Sequence, residues 1–160
     1  MTDEPQYKVS DYMRTEVNTI HKSANFEEAV TTMYEQRRNG LVVIDKRNKV
    51  VGMLTSLHLI QWIVPDYLEE DKHLAAFEAG DVFAKRIKEI LKNPITKFMN
   101  HEFHPVKADD SLMEAATLMS EWNTRHLPVV DDTGHLVGYI TRTDIKRAIA
   151  DVLKLKRKAK

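Results

Sequence analysis

With 160 residues, 42% of them hydrophobic and 30% charged, the chain has an ordinary globular composition, enough for one compact domain or two small halves sharing a core. Cysteine is absent, which excludes a disulfide framework, thiolate-bound zinc and cysteine catalysis. Twenty-four basic side chains balance 24 acidic ones, although residues 1–80 carry 9 Lys and Arg against 13 Asp and Glu while 81–160 carry 15 against 11. Met1–Lys8 lacks the basic and apolar regions of a secretory leader, and no apolar run approaches the roughly 18 residues needed to span a bilayer. The expected setting is soluble and cytoplasmic, without a membrane partner.

In chain order, Tyr7–Met13 is expected to form a short lead-in helix or strand, and Val17–Ile20 a turn or short strand. Asn25 with Glu28 three residues on has the form of a capping box. Phe26, Ala29, Val30 and Met33 then recur at helical spacing. Asn39-Gly40 is expected to stop that helix, since Gly is favoured just past a helix end. Leu41–Ile44 reads as a buried strand, Asp45–Asn48 as turn material and Lys49–Leu54 as the returning strand of a hairpin. Thr55 opens a second helix that Pro65 ends or kinks.

Residues 60–94 connect this unit to a second one. Leu74, Phe77, Val82, Phe83, Ile87, Ile90 and Leu91 predict helical segments that pack on the core or form part of a dimer surface. Ser111 with Glu114 caps the next helix, whose apolar stripe is Leu112, Ala115, Ala116 and Met119. Leu127–Val130 and His135–Ile140 are strands around the turn Asp131–Gly134. Thr141 opens the last helix, with Ile145, Ala148, Ile149 and Leu153 as its stripe. The methionines read as core filler. Trp62 and Trp122 read as core or interface packing.

The second half repeats the first at a constant offset of 86 residues. Aligning 9–59 with 95–145 gives 13 identities in 51 positions without a gap. Leu41–Asp45 returns as Leu127–Asp131, Val50–Thr55 as Leu136–Thr141, Tyr12-Met13 as Phe98-Met99 and Glu28-Ala29 as Glu114-Ala115. A fixed-period repeat sets the architecture. Here it gives two β-α-β-β-α units, an α+β (mixed α/β) fold.

The ordered set Arg125-His126-Leu127-Pro128-Val129-Val130-Asp131, Gly134 and Leu136-Val137-Gly138-Tyr139-Ile140-Thr141-Arg142-Thr143-Asp144 resembles a cystathionine β-synthase (CBS) domain. Gly40–Asp45 and Gly52–Thr55 are its weaker first copy. The whole resembles a tandem CBS pair, or Bateman module, over about residues 8–150. The implied organisation is a first repeat at 8–64, a helical connector at 65–94, a second repeat at 95–150 and a basic tail at 151–160. The repeats would form one pseudo-two-fold module. The resemblance implies regulatory binding of an adenine nucleoside or nucleotide (AMP, ADP, ATP or S-adenosylmethionine) in a cleft between the repeats. It also implies a homodimer through the helices at 55–64 and 141–153, acting on an unidentified regulated protein.

Carried onto this sequence, Thr141, Thr143 and Asp144 form the ribose–phosphate wall of one site, with Tyr139 beside the base. Ile20 and His21 come from the opposite repeat with the turn Arg37-Arg38-Asn39-Gly40, where Arg37 or Arg38 is the phosphate cation. A carboxylate accepting from vicinal hydroxyls makes charge-assisted hydrogen bonds, and a helix N-terminus favours a phosphate. Thr141-x-x-Asp144 is equally a helix-capping pair, and the two roles are compatible. In the second site Thr55 is kept, but His58 stands in the aspartate's place. A neutral imidazole cannot copy a bidentate carboxylate, so that site is expected to be weaker; it retains Arg125 and His126, with Val106 and Lys107 at the base end.

Other chemistry is not expected. Gly-x-Ser-x-Gly, His-Glu-x-x-His and a Gly-Lys-Ser/Thr phosphate loop are absent, so the chain reads as no enzyme. His101-x-x-His104 lacks carboxylate partners at metal spacing, and no metal is expected. Five cations crowd the last seven residues, but no other basic face accompanies them; they read as a solvated helix end rather than a nucleic-acid site. The alternative to a sensor is a ligand-free scaffold for dimerisation or partner binding.

Overall fold

The computed structural model describes residues 6–156; Arg157, Lys158 and Lys160 of the basic tail lie outside the described residues. The fold is α+β. Its elements are α1 (Val9–Tyr12), β1 (Thr19–His21), α2 (Phe26–Glu35), β2 (Gly40–Ile44), β3 (Val50–Thr55), α3 (Ser56–Ile63), α4 (Asp66–Glu70), α5 (Val82–Ile90), α6 (Leu112–Glu121), β4 (His126–Val130), β5 (Leu136–Thr141) and α7 (Arg142–Val152). Two 3-10 turns, Lys72–Phe77 and Ile95–Lys97, punctuate the connecting segments.

The chain divides into two compact units that do not follow sequence order. One contains residues 18–46 and 51–102. Its sheet runs β1-β2-β3, with β1 parallel to β2 and Ile20 opposite Val43. Phe26, Ala29 and Met33 of α2 pack on Leu41, Val43 and Leu54 of the sheet and on Leu59 of α3. The connector helix α5 contributes Ile87 and Ile90 to this core. Arg86 fixes it further by donating to the carbonyls of Trp62 and Ile63 at the end of α3, where helix carbonyls lack partners. Leu74, Phe77 and Phe83 of the predicted connector stripe are exposed instead.

Among the described residues, the other unit contains 6–17, 47–50 and 103–156. Antiparallel β4 and β5 form its hairpin. A third strand is reduced to Val106, which bridges Val129 in parallel sense. Leu112, Ala115 and Met119 of α6 and Ala148 of α7 close the core over Leu127, Val129 and Ile140. Val9 and Tyr12 of α1 belong to the same cluster. Of the stripe expected on α7, Ile145 and Ala148 pack inward, whereas Ile149 and Leu153 are exposed.

The segment before each repeat therefore packs with the other repeat's hairpin. Arg14 and Tyr139 exchange both backbone hydrogen bonds, at 2.8 and 2.9 Å. Asn100 and Met53, each at the 86-residue offset, do the same at 2.8 and 2.9 Å. These approaches explain the repeated glycines. A Cβ on Gly138 would stand 2.7 Å from the Arg14 carbonyl oxygen, and one on Gly52 would stand 2.9 Å from that of Asn100. They also explain how Pro128 sits inside β4. It faces Tyr139, whose N–H and C=O both bond Arg14, so the β4–β5 ladder needs no hydrogen from Pro128.

Two local expectations need correction. The residue that stops α2 is Arg37, at φ 51°, with Asn123 at φ 48° in the matching place after α6. Gly40 instead begins β2, because the helix ends at Glu35, five residues before the glycine. Trp122 is not a core residue: it is 50% exposed and stacks on His104 with ring centroids 4.0 Å apart. Trp62 does pack against the core, stacked on Phe98. Met33, Met53, Met99 and Met119 are buried filler, while Met113 is exposed.

Candidate functional site

The end of β5 delivers Thr141 to the N-cap of α7 in extended conformation, and Asp144 occupies the third helical position. Their reciprocal bonds form a complete capping box. The Asp144 Oδ2 accepts from the Thr141 backbone N–H at 2.9 Å and from its hydroxyl at 2.8 Å. The other carboxylate oxygen, Oδ1, accepts from Arg14 Nε at 3.2 Å and lies 3.7 Å from an Arg147 guanidinium nitrogen. Asp144 has no exposed surface and is the buried charged residue of the described chain. A buried carboxylate is costly unless paired and hydrogen-bonded, and here both oxygens have partners.

The pairing continues along one face of α7. Arg147 donates to the Tyr12 carbonyl at 2.8 Å and sits over the Tyr12 ring, 5.5 Å from its centroid. The Tyr12 hydroxyl donates to Asp151 at 2.9 Å. Burial, together with this bond to Asp151, raises the Tyr12 pKa above the ordinary tyrosine value, so it remains a donor at neutral pH. Positions 144, 147 and 151 follow helical spacing, so one face of α7 holds Tyr12 and Arg14.

The same architecture in the other unit carries different chemistry. The His58 Nδ1 accepts from the Thr55 backbone N–H at 3.1 Å, with the Thr55 hydroxyl 3.3 Å away. An imidazole nitrogen thus replaces one carboxylate oxygen as cap, and nothing replaces the second oxygen. An accepting Nδ1 places the ring proton on Nε2, and burial lowers the His58 pKa in support of this neutral form. The segment that Arg14, Tyr12 and Arg147 hold ionically in one unit is held by aromatic contact in the other. Phe98 packs against Trp62 at 5.4 Å and Phe26 at 5.7 Å between centroids.

Of the remaining predicted residues, Tyr139, Val106, Lys107, Arg125 and His126 fall in the unit that holds Asp144. Tyr139 is half-buried beside Arg14, and Thr143 is exposed at the second position of α7. Val106 is buried, while Lys107 reaches Asp132, a bond that raises its pKa. Arg125 is exposed; burial and the neighbouring Arg125 and Arg142 charges lower the pKa of His126. Ile20, His21, Arg37, Arg38, Asn39 and Gly40 fall in the other unit, with Thr55 and His58. Arg37, Arg38 and Asn39 are exposed in the turn after α2.

Ile20 and His21 line a surface groove of about 560 Å³ with Ala24, Glu27 and Glu28. His21 Nδ1 accepts from the Ser23 N–H at 3.2 Å, and its Nε2 is buried without a hydrogen bond. The two glutamates make this groove unsuited to a phosphate. Among the described residues no group of three or more His, Asp or Glu side chains could hold a metal. His101 instead contacts the Thr96 carbonyl at 2.8 Å. No helix among the described residues is long and apolar enough to cross a membrane.

Arg14 is the residue of the candidate site that sequence reasoning missed. It lies 130 residues from Asp144, and its repeat partner Asn100 shares none of its chemistry. The available signal was the pairing of Met13 with Met99, which marks both leading segments as structural parts of the repeat.

The CBS domain family model matches residues 9–65 and again 88–151. The chain belongs to the CBS domain family. Among curated relatives, this CBS pair is 28% identical over 145 residues to an uncharacterised 17.7 kDa protein of Acidianus ambivalens, covering 91% of this chain and 74% of the relative. Among solved structures it resembles CBSX2 of Arabidopsis thaliana in complex with AMP, at 27% identity and TM-score 0.69, covering 92% and 98% of the two chains. It also resembles the CBS domain pair of protein MJ0100 in complex with 5′-methylthioadenosine and S-adenosylmethionine. That match has 25% identity and TM-score 0.65, covering 89% and 98% of the chains. Some matched relatives are much longer, and the chain spans 15% of one nucleotidyltransferase.

Proposed function

We propose that this CBS pair is a non-catalytic regulatory module that binds an adenine nucleoside or nucleotide of the AMP, ADP, ATP or S-adenosylmethionine class, with the ribose hydroxyls on Asp144. The observation that carries this reading is the Thr141–Asp144 pair at the start of α7, where one oxygen caps the helix and the other accepts from the partly exposed Arg14. The helix N-terminus and the exposed Thr143 hydroxyl suit a phosphate. The AMP complex of CBSX2 and the S-adenosylmethionine complex of the MJ0100 pair support the ligand class. His58 gives its own unit a cap without a second acceptor oxygen, so one competent site per chain is proposed.

Output by such a module follows population shift: a ligand favours whichever arrangement it binds more tightly. A homodimer through α3 and α7 fits the apolar side chains these helices leave exposed, Leu57 and Ile60 on one and Ile149 and Val152 on the other. A ligand-free scaffold is the competing reading, favoured by the same exposed side chains. Thermal melting with AMP, ADP, ATP, S-adenosylmethionine and adenosine separates the two. A ligand at 100 times its Kd raises stability by about 2.7 kcal/mol, a shift of several degrees. The sensor reading expects that shift with at least one compound and its loss in Asp144→Ala. An unmoved transition with all five compounds would leave only the scaffold.

A further inference from the structure

We propose that Arg14 makes this site selective for phosphorylated ligands by exchanging one ion pair for another. The inference rests on the reading that Asp144 receives the ribose. Asp144 Oδ2 already accepts two bonds from Thr141, and Oδ1 is covered by Arg14 Nε at 3.2 Å. The carboxylate has no exposed surface, so a sugar diol reaches Oδ1 only when the Arg14 side chain moves away.

Arg14 is the group built to move. Its backbone is fixed by the two hydrogen bonds with Tyr139, but its side chain is 39% exposed, bonded to Asp144 through Nε and to the Tyr139 side chain. The neighbouring Arg147 is anchored by the Tyr12 carbonyl and ring, and stays 3.7 Å from Oδ1. Once displaced, the Arg14 guanidinium remains tethered beside the sugar. A neutral nucleoside takes its carboxylate and offers no anion in return. A nucleoside monophosphate supplies a phosphate, to which a guanidinium binds in fork geometry. Phosphate capture thus offsets the lost ion pair only for the charged ligand.

The test is calorimetric titration of AMP and adenosine into the wild-type protein, Arg14→Gln, Arg14→Ala and Asp144→Asn, each checked for an intact melting transition. The wild type is expected to prefer AMP over adenosine by at least about 10-fold. In the Arg14 variants this ratio should fall to within about 3-fold, chiefly because adenosine binds more tightly once its competitor is gone. Arg14→Gln keeps a neutral side chain of similar reach should Arg14→Ala not fold. An unchanged ratio in a folded Arg14 variant, with binding abolished in Asp144→Asn, overturns the exchange and leaves the ribose assignment standing. Equal wild-type affinities for the two ligands overturn it as well. Undiminished AMP binding by Asp144→Asn overturns the exchange and the ribose assignment together. No wild-type binding of either ligand overturns the exchange and counts against the sensor reading itself.

Discussion

Replacing Gly138 by alanine tests the packing that holds the N-terminal segment. The new Cβ would stand 2.7 Å from the Arg14 carbonyl oxygen and 3.3 Å from Met13 Sδ. Moving that oxygen from 2.7 Å to the 3.4 Å of ordinary contact requires a retreat of about 0.7 Å. Methionine sulfur can yield; a backbone carbonyl held in a reciprocal pair cannot do so without stretching the bonds between Arg14 and Tyr139. Overpacking of this kind costs about 1–3 kcal/mol, and each weakened hydrogen bond adds up to about 1 kcal/mol. Alanine recovers about 0.4–1 kcal/mol by restricting the unfolded chain. The net expectation is a loss of about 2–3 kcal/mol, or roughly 5–10 °C in Tm for a chain of this size. Urea denaturation of Gly138→Ala, Gly52→Ala and Gly80→Ala measures it. Gly52→Ala should lose less, about 1–2 kcal/mol, since its nearest backbone contact is 2.9 Å and its other close contacts are the flexible Met99 side chain. A Cβ on Gly80 would meet nothing within 4 Å, so its alanine variant should be neutral or slightly stabilised. A Gly138→Ala protein within about 0.5 kcal/mol of wild type would refute the close-approach explanation of the repeated glycine.

Three further outcomes are expected. Burial lowers the pKa values of His58 and His126, so the unfolded chain takes up protons more readily than the folded one. Stability should be full above the ordinary histidine pKa of about 6.5 and fall as the pH drops below it; urea midpoints at pH 7.5 and 5.5 measure this, and an equal or higher midpoint at pH 5.5 would contradict it. Phe98→Ala removes the ring between Trp62 and Phe26, and should cost about 3–5 kcal/mol and change the Trp62 emission. Ile60→Glu and Ile149→Glu place charges on the exposed faces of α3 and α7; if those faces pair two chains, sedimentation equilibrium should show monomers in place of dimers.

The elements and the repeat are legible in the sequence because they depend on local spacing. The Asn25–Glu28 and Thr141–Asp144 boxes form as their residue types demand. Less legible is anything that depends on which distant segments meet. Arg14 reads as an ordinary surface cation until the chain brings it against Asp144. Gly138 reads as a motif glycine until Met13 and Arg14 are seen to pass over it. His58 reads as a lost carboxylate, yet its Nδ1 preserves the cap, because an imidazole nitrogen and a carboxylate oxygen are interchangeable as single acceptors. Intrinsic preference for left-handed backbone points to Gly40 as the helix stop, but local chain geometry overrides it and places Arg37 there.

If Asp144 anchors an adenine ligand, one per chain, calorimetric titration of AMP into the wild-type protein and Asp144→Ala tests that claim most directly. Saturation at one AMP per chain is expected for the wild type, and a loss of at least about 100-fold in affinity, or about 2.7 kcal/mol, for the variant. Binding of equal strength in both proteins would contradict it.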